Sequence, residues 1–190
     1  MRTLLTALLV IGLSFSSLQA EDSKEGVYLG LGLSSTSLDD DGFEHSISAT
    51  LDDKDSGVKI YGGYRFSDYF ALELEFANLG SYSHDFSPYT GDLDLNAFTV
   101  SAVGIYPVLD KQLDLFIMLG LGSINVDDGF VDDNGGVARF GVGVAYTPKS
   151  LQELSFRFGL EAYSFTVEGY LGRDYDMTVS SAYIGAQYNF

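Results

Sequence analysis

The chain has 190 residues, no cysteine and a formal net charge of −17. This acidity excludes nucleic acid as a partner, because phosphate binding requires clustered lysine and arginine. The lack of cysteine excludes a disulfide framework and any metal site built on thiolates.

The first segment of the chain has the pattern of a secretory signal peptide. Arg2 precedes an apolar run from residue 4 to residue 13, which is too short to cross a bilayer as a helix. Small residues follow, ending at Ala20, as they do before a signal-peptidase cleavage site. We therefore expect residues 1–20 to be removed and residues 21–190 to form one exported β-barrel domain.

Eight later segments alternate between bulky apolar residues and small or polar residues. Period-two alternation predicts β-strands whose two faces meet different environments. Their length of about ten residues suits a tilted transmembrane strand. The predicted strands are 26–36, 57–66, 69–79, 93–106, 113–124, 137–146, 154–165 and 182–190.

The bulky face of each predicted strand is assigned to the outside of the barrel. On the third strand, for example, Leu72, Leu74 and Phe76 alternate with Glu73 and Glu75. The fourth strand is the least clear, and there we favour an outward face of Phe98, Val100, Ala102 and Tyr106. A soluble, lipocalin-like barrel would also alternate, with its bulky residues inside, so alternation does not by itself separate the two folds.

The connections favour the membrane fold. Short turns at 67–68, 108–112 and 149–153 alternate with longer connections at 37–56, 81–92, 125–136 and 166–175. Short turns on one rim and long loops on the other are typical of outer-membrane barrels. Aromatic residues near the short turns and the chain end predict a girdle at the lipid–water boundary: Tyr64, Phe66, Tyr69, Phe70, Tyr106, Tyr146, Phe156, Tyr188 and Phe190.

Three segments resemble known outer-membrane barrels. The last strand, which carries Tyr188 and Phe190, resembles their C-terminal targeting strand. Residues 62–76 and 101–107 resemble the second hairpin and the end of the fourth strand in the OmpA-like transmembrane barrel family. The resemblance implies an eight-stranded antiparallel up-and-down barrel in the bacterial outer membrane. It also implies outer-membrane lipid, lipopolysaccharide and the barrel-assembly machinery as partners.

The resemblance also implies ion pairs across the barrel interior. A family pair, a Glu on strand three and an Arg on strand seven, falls on Glu73 and Arg157. A second family pair falls on Val103 and 144–145, so neither that pair nor a switch between the two pairs is expected. The charged residues assigned to the interior, which must pair or stay hydrated, are Lys59, Arg65, Glu73, Glu75, Arg139, Arg157 and Glu161.

The remaining chemical candidates lie in the predicted long loops. His45 and His84, with Ser46 and Asp85 beside them, could suggest an outer-leaflet lipid-modifying enzyme, but no strand fixes their spacing. Carboxylates are the ligands that Ca²⁺ and Mg²⁺ prefer, but the acidic runs do not match the EF-hand spacing. These weak metal candidates, which we expect to be solvated, are Asp39, Asp40, Asp41, Asp127, Asp128, Asp132 and Asp133.

The sequence therefore predicts a monomeric outer-membrane barrel with no cofactor and both termini in the periplasm. A structural or surface-interaction role through acidic extracellular loops is favoured: membrane integrity, adhesion or recognition of a surface ligand. The alternatives are a narrow porin-like channel for small solutes and, third, the lipid-modifying enzyme.

Overall fold

A computed structural model describes residues 24–39, 50–51, 54–86, 89–127, 132–169 and 173–190. The regular elements in these ranges are all strands: β1 Gly26–Asp39, β2 Thr50–Leu51, β3 Lys54–Ser67, β4 Phe70–Phe86, β5 Tyr89–Val108, β6 Leu113–Asp127, β7 Asp132–Tyr146, β8 Leu154–Gly169 and β9 Arg173–Asn189. The described part of the chain contains no helix long and apolar enough to cross a membrane.

The strands close into a barrel. Eight long strands pair antiparallel with their neighbours in the sequence, and β1 pairs with β9 to close the wall. The two-residue strand β2 belongs to the same sheet and pairs with the distal end of β4, at Thr50–Asp85 and Leu51–His84. The predicted eight-stranded up-and-down barrel is confirmed. Closure satisfies the backbone of every wall strand, as a sheet in lipid requires.

One rim of the barrel, here called the proximal rim, carries the short turns and the chain end. The turns are 68–69, 109–112 and 147–153, close to the predicted positions. Leu109, Asp110 and Lys111 all adopt left-handed backbone angles, with φ of 51°, 52° and 61°. The amide of Gln112 donates to the carbonyl of Leu109 and completes that turn.

The outward face of the barrel is apolar near the proximal rim, as predicted. Leu31, Leu119 and Leu160 are each more than half exposed on the isolated chain. The predicted girdle also faces outward, and ring contacts link Tyr64 to Phe66 and Tyr188 to Phe190 at 4.9 and 5.0 Å between centroids. The fourth predicted strand has the expected faces, since Phe98 and Val100 are exposed and Ala97 is buried.

The opposite rim, here called the distal rim, differs from the prediction. The predicted connections 81–92, 125–136 and 166–175 consist largely of strand, because β4 continues to Phe86, β6 to Asp127 and β8 to Gly169. Their hairpin partners pair residue by residue, with Phe86 opposite Tyr89 and Gly169 opposite Arg173. The alternation with bulky residues outward ends before these segments, but the backbone ladder continues through them. The strands therefore extend well beyond their predicted ends.

A β-bulge in β4 redirects the side chains that follow it. The pairing of β4 with β5 shifts between Asn78 and Gly80, and Leu79 is the extra residue. Gly80 has φ of 110°, which only glycine adopts without strain. Because of the shift, Leu79 and Tyr82 both lie inside the barrel, whereas Ser81 faces out.

Candidate functional site

The barrel interior holds three layers of side chains, and the first lies at the proximal rim. Asp114 Oδ2 accepts hydrogen bonds from Lys24 Nζ at 3.0 Å and from Arg65 Nη1 at 2.7 Å. The Arg65 guanidinium also donates to the carbonyls of Ser67 and Asp68. Through these contacts this rim cluster connects the segment before β1 to the turn between β3 and β4.

A salt bridge also connects two turns of the proximal rim. Lys111 Nζ lies 2.7 Å from Asp68 Oδ2, and both side chains are partly exposed. The hydrogen bond from Lys111 lowers the pKa of Asp68. At the rim cluster, burial lowers the pKa of Lys24 against the attraction of Asp114.

The second layer, deeper in the barrel, begins with the pair expected from the family. Arg157 Nη1 donates to Glu73 Oε2 at 2.6 Å, and the Tyr28 hydroxyl donates to the same oxygen at 2.9 Å. The Arg157 guanidinium also lies 4.5 Å from the ring centroids of both Tyr61 and Phe116. Cation–π contact of this kind stabilises a desolvated guanidinium.

A second set of ion pairs lies beside the first. Arg139 Nη2 contacts Glu75 Oε2 at 2.6 Å and Glu161 Oε1 at 2.5 Å. Lys59 Nζ donates to the same two carboxylates, with 3.1 Å to Glu75 Oε2. The Tyr163 hydroxyl lies 2.6 Å from Glu75 Oε1 and 2.9 Å from Glu161 Oε2, so its single proton serves one of them at a time.

Arg139 joins the two sets into one network. Its Nη1 lies 3.6 Å from Glu73 Oε1 and also donates to the Ser101 hydroxyl at 3.2 Å. We call these six side chains the lumen cluster: Lys59, Glu73, Glu75, Arg139, Arg157 and Glu161. Three cations face three carboxylates, and each side chain is at most 4% exposed. Such a balanced set meets the requirement that buried charges be paired.

Small residues make room for the rings that pack around the lumen cluster. A Cβ on Gly159 would lie 2.4 Å from Tyr183 Cε1, a distance that requires something to move. Lys59 Nζ lies 4.2 Å from the Tyr183 ring centroid, so this ring contacts the cluster directly. The glycine therefore allows an aromatic ring to fill the narrow interior.

The third layer, here called the distal core, is apolar and lies between the lumen cluster and the distal rim. Tyr82, Leu95 and Val179 are fully buried in it. Tyr163 belongs to it as well and joins it to the lumen cluster through its hydroxyl. Its members are Leu38, Ala77, Leu79, Tyr82, Leu95, Ala97, Ile124, Val137, Tyr163, Phe165, Met177 and Val179, with Val126 packed against them.

The structure brings six of the seven predicted interior charges together. Arg65 is the exception, because it lies at the proximal rim with Asp114 and Lys24. Lys24 was not among the predicted site residues, since it precedes the first alternating segment. The aromatic partners Tyr28, Tyr61 and Tyr163 were also missed; their inward register was the available signal.

The weak metal candidates either form no metal-ligating group in the described structure or lie outside the described residues. Among the described residues, no group of three or more metal-ligating side chains comes together. Asp39 is exposed at the end of β1, while Asp127 and Asp132 are paired across a hairpin through their backbones. Positions 40, 41 and 128 lie outside the described residues, and Asp133 pairs through its backbone with Val126.

One of the two histidine candidates lies on the distal side of the described structure. His84 lies in β4 opposite Gly91. His45 and Ser46 lie outside the described residues, as does the predicted signal peptide at 1–20.

Comparisons with known proteins agree with this architecture. A family model described as "Outer membrane protein beta-barrel domain" matches residues 5–190. No curated protein sequence matches the chain significantly.

Several solved structures are similar to the chain. OprG, an outer membrane protein from Pseudomonas aeruginosa, is 15% identical with a TM-score of 0.61, over 90% of this chain and 99% of OprG. Neisserial surface protein A is 15% identical with a TM-score of 0.59, over 86% of this chain and 97% of that protein. Ail, the attachment invasion locus protein of Yersinia pestis, is 17% identical with a TM-score of 0.54, over 86% of this chain and 97% of Ail. At these identities the likeness establishes the fold.

Proposed function

The chain belongs to the outer membrane protein β-barrel domain family, and we propose that it is a structural and surface-interaction protein rather than a solute channel. The family establishes a small barrel of the bacterial outer membrane. The observation that carries the proposal is the filled interior, with the lumen cluster and the distal core packed in series. Eight-stranded barrels are just wide enough to be filled by their own side chains.

The orientation we propose places the proximal rim in the periplasm and the distal rim at the cell surface. The short turns and the outward aromatic residues at the proximal rim support this orientation, because outer-membrane barrels keep their short turns on the periplasmic side. The barrel-assembly machinery, outer-membrane lipid and lipopolysaccharide are its proposed partners. We propose that it acts as a monomer and without catalytic chemistry.

The surface available to a partner is then the distal rim, which is acidic. Asp39, Asp94 and Asp176 are exposed there, and further carboxylates lie in the connecting segments of the sequence. A surface of one sign attracts partners of the opposite sign and loses that attraction as salt increases. We therefore propose that the rim binds cationic groups: either those of a cationic partner, or divalent cations that bridge the rim to the anionic phosphates of lipopolysaccharide.

Binding to a cationic surface tests this role. Wild-type protein in phospholipid vesicles should adhere to immobilised polylysine, and a variant with Asp39→Asn, Asp94→Asn and Asp176→Asn should adhere less. A control variant carries Glu25→Gln and Asp110→Asn, two substitutions at exposed positions on the proximal side. In vesicles where the distal rim faces the outside, this control should adhere as strongly as the wild type. Equal adhesion by the distal variant and the wild type, at low and at high salt, would contradict the proposal.

Planar-bilayer recording distinguishes the surface-interaction role from the alternative of a narrow channel. A barrel filled by both layers should give no discrete currents. Reproducible unitary conductance by the refolded wild type would favour the channel over the surface role.

A further inference from the structure

The outward face of the barrel changes character along the strands. Near the proximal rim it is bulky and apolar, but towards the distal rim the strands switch to small or polar residues. Leu33 is followed on the same face by Ser35, Phe98 is preceded by Asn96, and Leu121 is followed by Ser123. Cross-strand pairs of these polar side chains form hydrogen bonds, as between Asn78 and Asn96 at 3.1 Å.

The inward face changes in the opposite direction at the same level. Thr99 lies among the charges of the lumen cluster, whereas Leu95 and Ala97, further along the same face of β5, lie in the distal core. On β8, Glu161 is followed inward by Tyr163 and then Phe165. Polar outside and apolar inside is the arrangement of a soluble barrel. The distal part of the wall is therefore built for an aqueous surface above the hydrocarbon.

The two interior layers differ in how they can meet water. In the described part of the chain, the central layer leaves Tyr61 Oη, Arg139 Nε and Ser181 Oγ buried without hydrogen-bond partners. Its proximal side adjoins a small recess of mixed lining, in which Ser155, Gln187 and Asn189 are polar and Val103, Ile105 and Phe116 are apolar. The distal core is packed and offers few polar groups, and an apolar interior without polar partners does not hold water.

From this contrast we propose that the distal core, and not the ion pairs, is the permeability barrier of the barrel. The residues that form it include Leu79, Tyr82, Leu95, Ile124, Phe165 and Val179. Apolar constrictions block ions by excluding water, even where the surrounding pore is wide enough. The proposal rests on the closed barrel inferred above and identifies which layer closes it.

A direct consequence concerns the lumen cluster. If its ion pairs are broken, water enters the central layer from the periplasmic side, because the recess lies on that side. The distal core remains dry, so no path to the cell surface opens. The ion pairs then hold the barrel together without gating it.

Side-specific thiol labelling tests this assignment, since the chain contains no cysteine of its own. Ser101→Cys places a thiol next to Arg139 in the central layer, with little change in volume. A charged, membrane-impermeant thiosulfonate is then added to oriented vesicles from one side at a time. Folding of every variant is checked by heat-modifiable gel mobility.

Three backgrounds are compared. In the wild-type background we expect no labelling from the surface side. With Glu73→Gln and Arg157→Gln together, we expect labelling from the periplasmic side only. With Leu79→Ser and Leu95→Ser together, we expect labelling from the surface side to appear. The milder pair Leu79→Ala and Leu95→Ala replaces this background if the serine variants fail to fold, and should admit less reagent.

The outcomes separate the two proposals. If the ion-pair variant is labelled from the surface side and the wild-type background is not, the assignment of the barrier to the distal core is overturned. The proposal that the wild-type barrel is closed then still stands. Absence of surface-side labelling in every folded distal-core variant would also overturn the assignment. Surface-side labelling of the wild type itself would overturn both.

Discussion

The strongest energetic prediction concerns the pair of Glu73 and Arg157. Arg157→Met removes a guanidinium from a site where the carboxylate is fully buried. Breaking a buried ion pair costs about 3–5 kcal/mol, because the remaining charge is left without its partner. Glu73 keeps the Tyr28 hydroxyl at 2.9 Å and Arg139 Nη1 at 3.6 Å, so we expect a loss near the lower end, about 3 kcal/mol.

The opposite substitution should cost less. In Glu73→Gln the amide oxygen can still accept from Arg157 and Tyr28, and the guanidinium keeps the Tyr61 and Phe116 rings. A hydrogen bond to a charged group contributes about 1.5–3 kcal/mol to stability. Because the introduced amide would be a neutral acceptor, Glu73→Gln should lose only part of that contribution. The double variant removes both charges, so its loss should be smaller than the sum of the single losses by about 1 kcal/mol or more.

Urea unfolding in phospholipid vesicles measures these losses. The chain has no tryptophan, so far-ultraviolet circular dichroism and gel mobility are suitable signals. A swap of the two charges, Glu73→Arg with Arg157→Glu, should likewise recover part of what either reversal loses. Single losses that add to within about 0.5 kcal/mol in the double variant would refute the pairing argument.

Three further predictions concern packing, pH and assembly. Gly159→Ala should destabilise the barrel by about 1–3 kcal/mol, because its Cβ would meet the Tyr183 ring, whereas Gly136→Ala, with no atom within 4 Å, should be nearly neutral in the same urea titration. Because the pKa of Asp68 is lowered in the fold, its pair with Lys111 stabilises the protein fully at pH values above the ordinary pKa of 3.8. This stabilisation is lost as the pH falls through the lower pKa of the folded state. Lys111→Met should therefore reduce the acid dependence of the urea midpoint, and an unchanged dependence would refute this role. Phe190→Ser should slow assembly into the outer membrane more than Leu109→Ser, which changes an exposed turn residue, as measured by pulse–chase gel mobility.

The sequence predicted the membrane-facing wall well, for a physical reason. Lipid tolerates only apolar residues, so alternation is strong wherever the wall meets hydrocarbon, as at Leu29, Leu31 and Leu33. The distal strands were missed because their faces are inverted. Ser81 outward and Tyr82 inward do not continue the pattern that precedes the bulge at Leu79, so the region resembled a loop.

The interior was predicted in part. Register along one strand gives the direction of a side chain, which explains why Glu73, Arg139 and Arg157 were correctly placed inside. It does not give the height at which two strands meet across the barrel. Arg65 was therefore grouped with the other interior charges, although its partner is Asp114 at the proximal rim.

The ion pairs also show the limit of a family resemblance. The positions of the second family pair hold Val103 and Ala145, and both are buried apolar residues here. A different set, built on Lys59 and Arg139, occupies the space beside the first pair. Where this chain differs from the family at an interior charge, the ion-pair partners follow from the structure and not from the resemblance.

Planar-bilayer recording measures whether the barrel is closed by its own side chains. Refolded wild-type protein, shown to be inserted by its heat-modifiable mobility, is recorded in a symmetric salt solution at both voltage polarities. A barrel closed in this way gives no discrete current steps above those of the protein-free bilayer. Reproducible unitary steps that scale with salt concentration would contradict it.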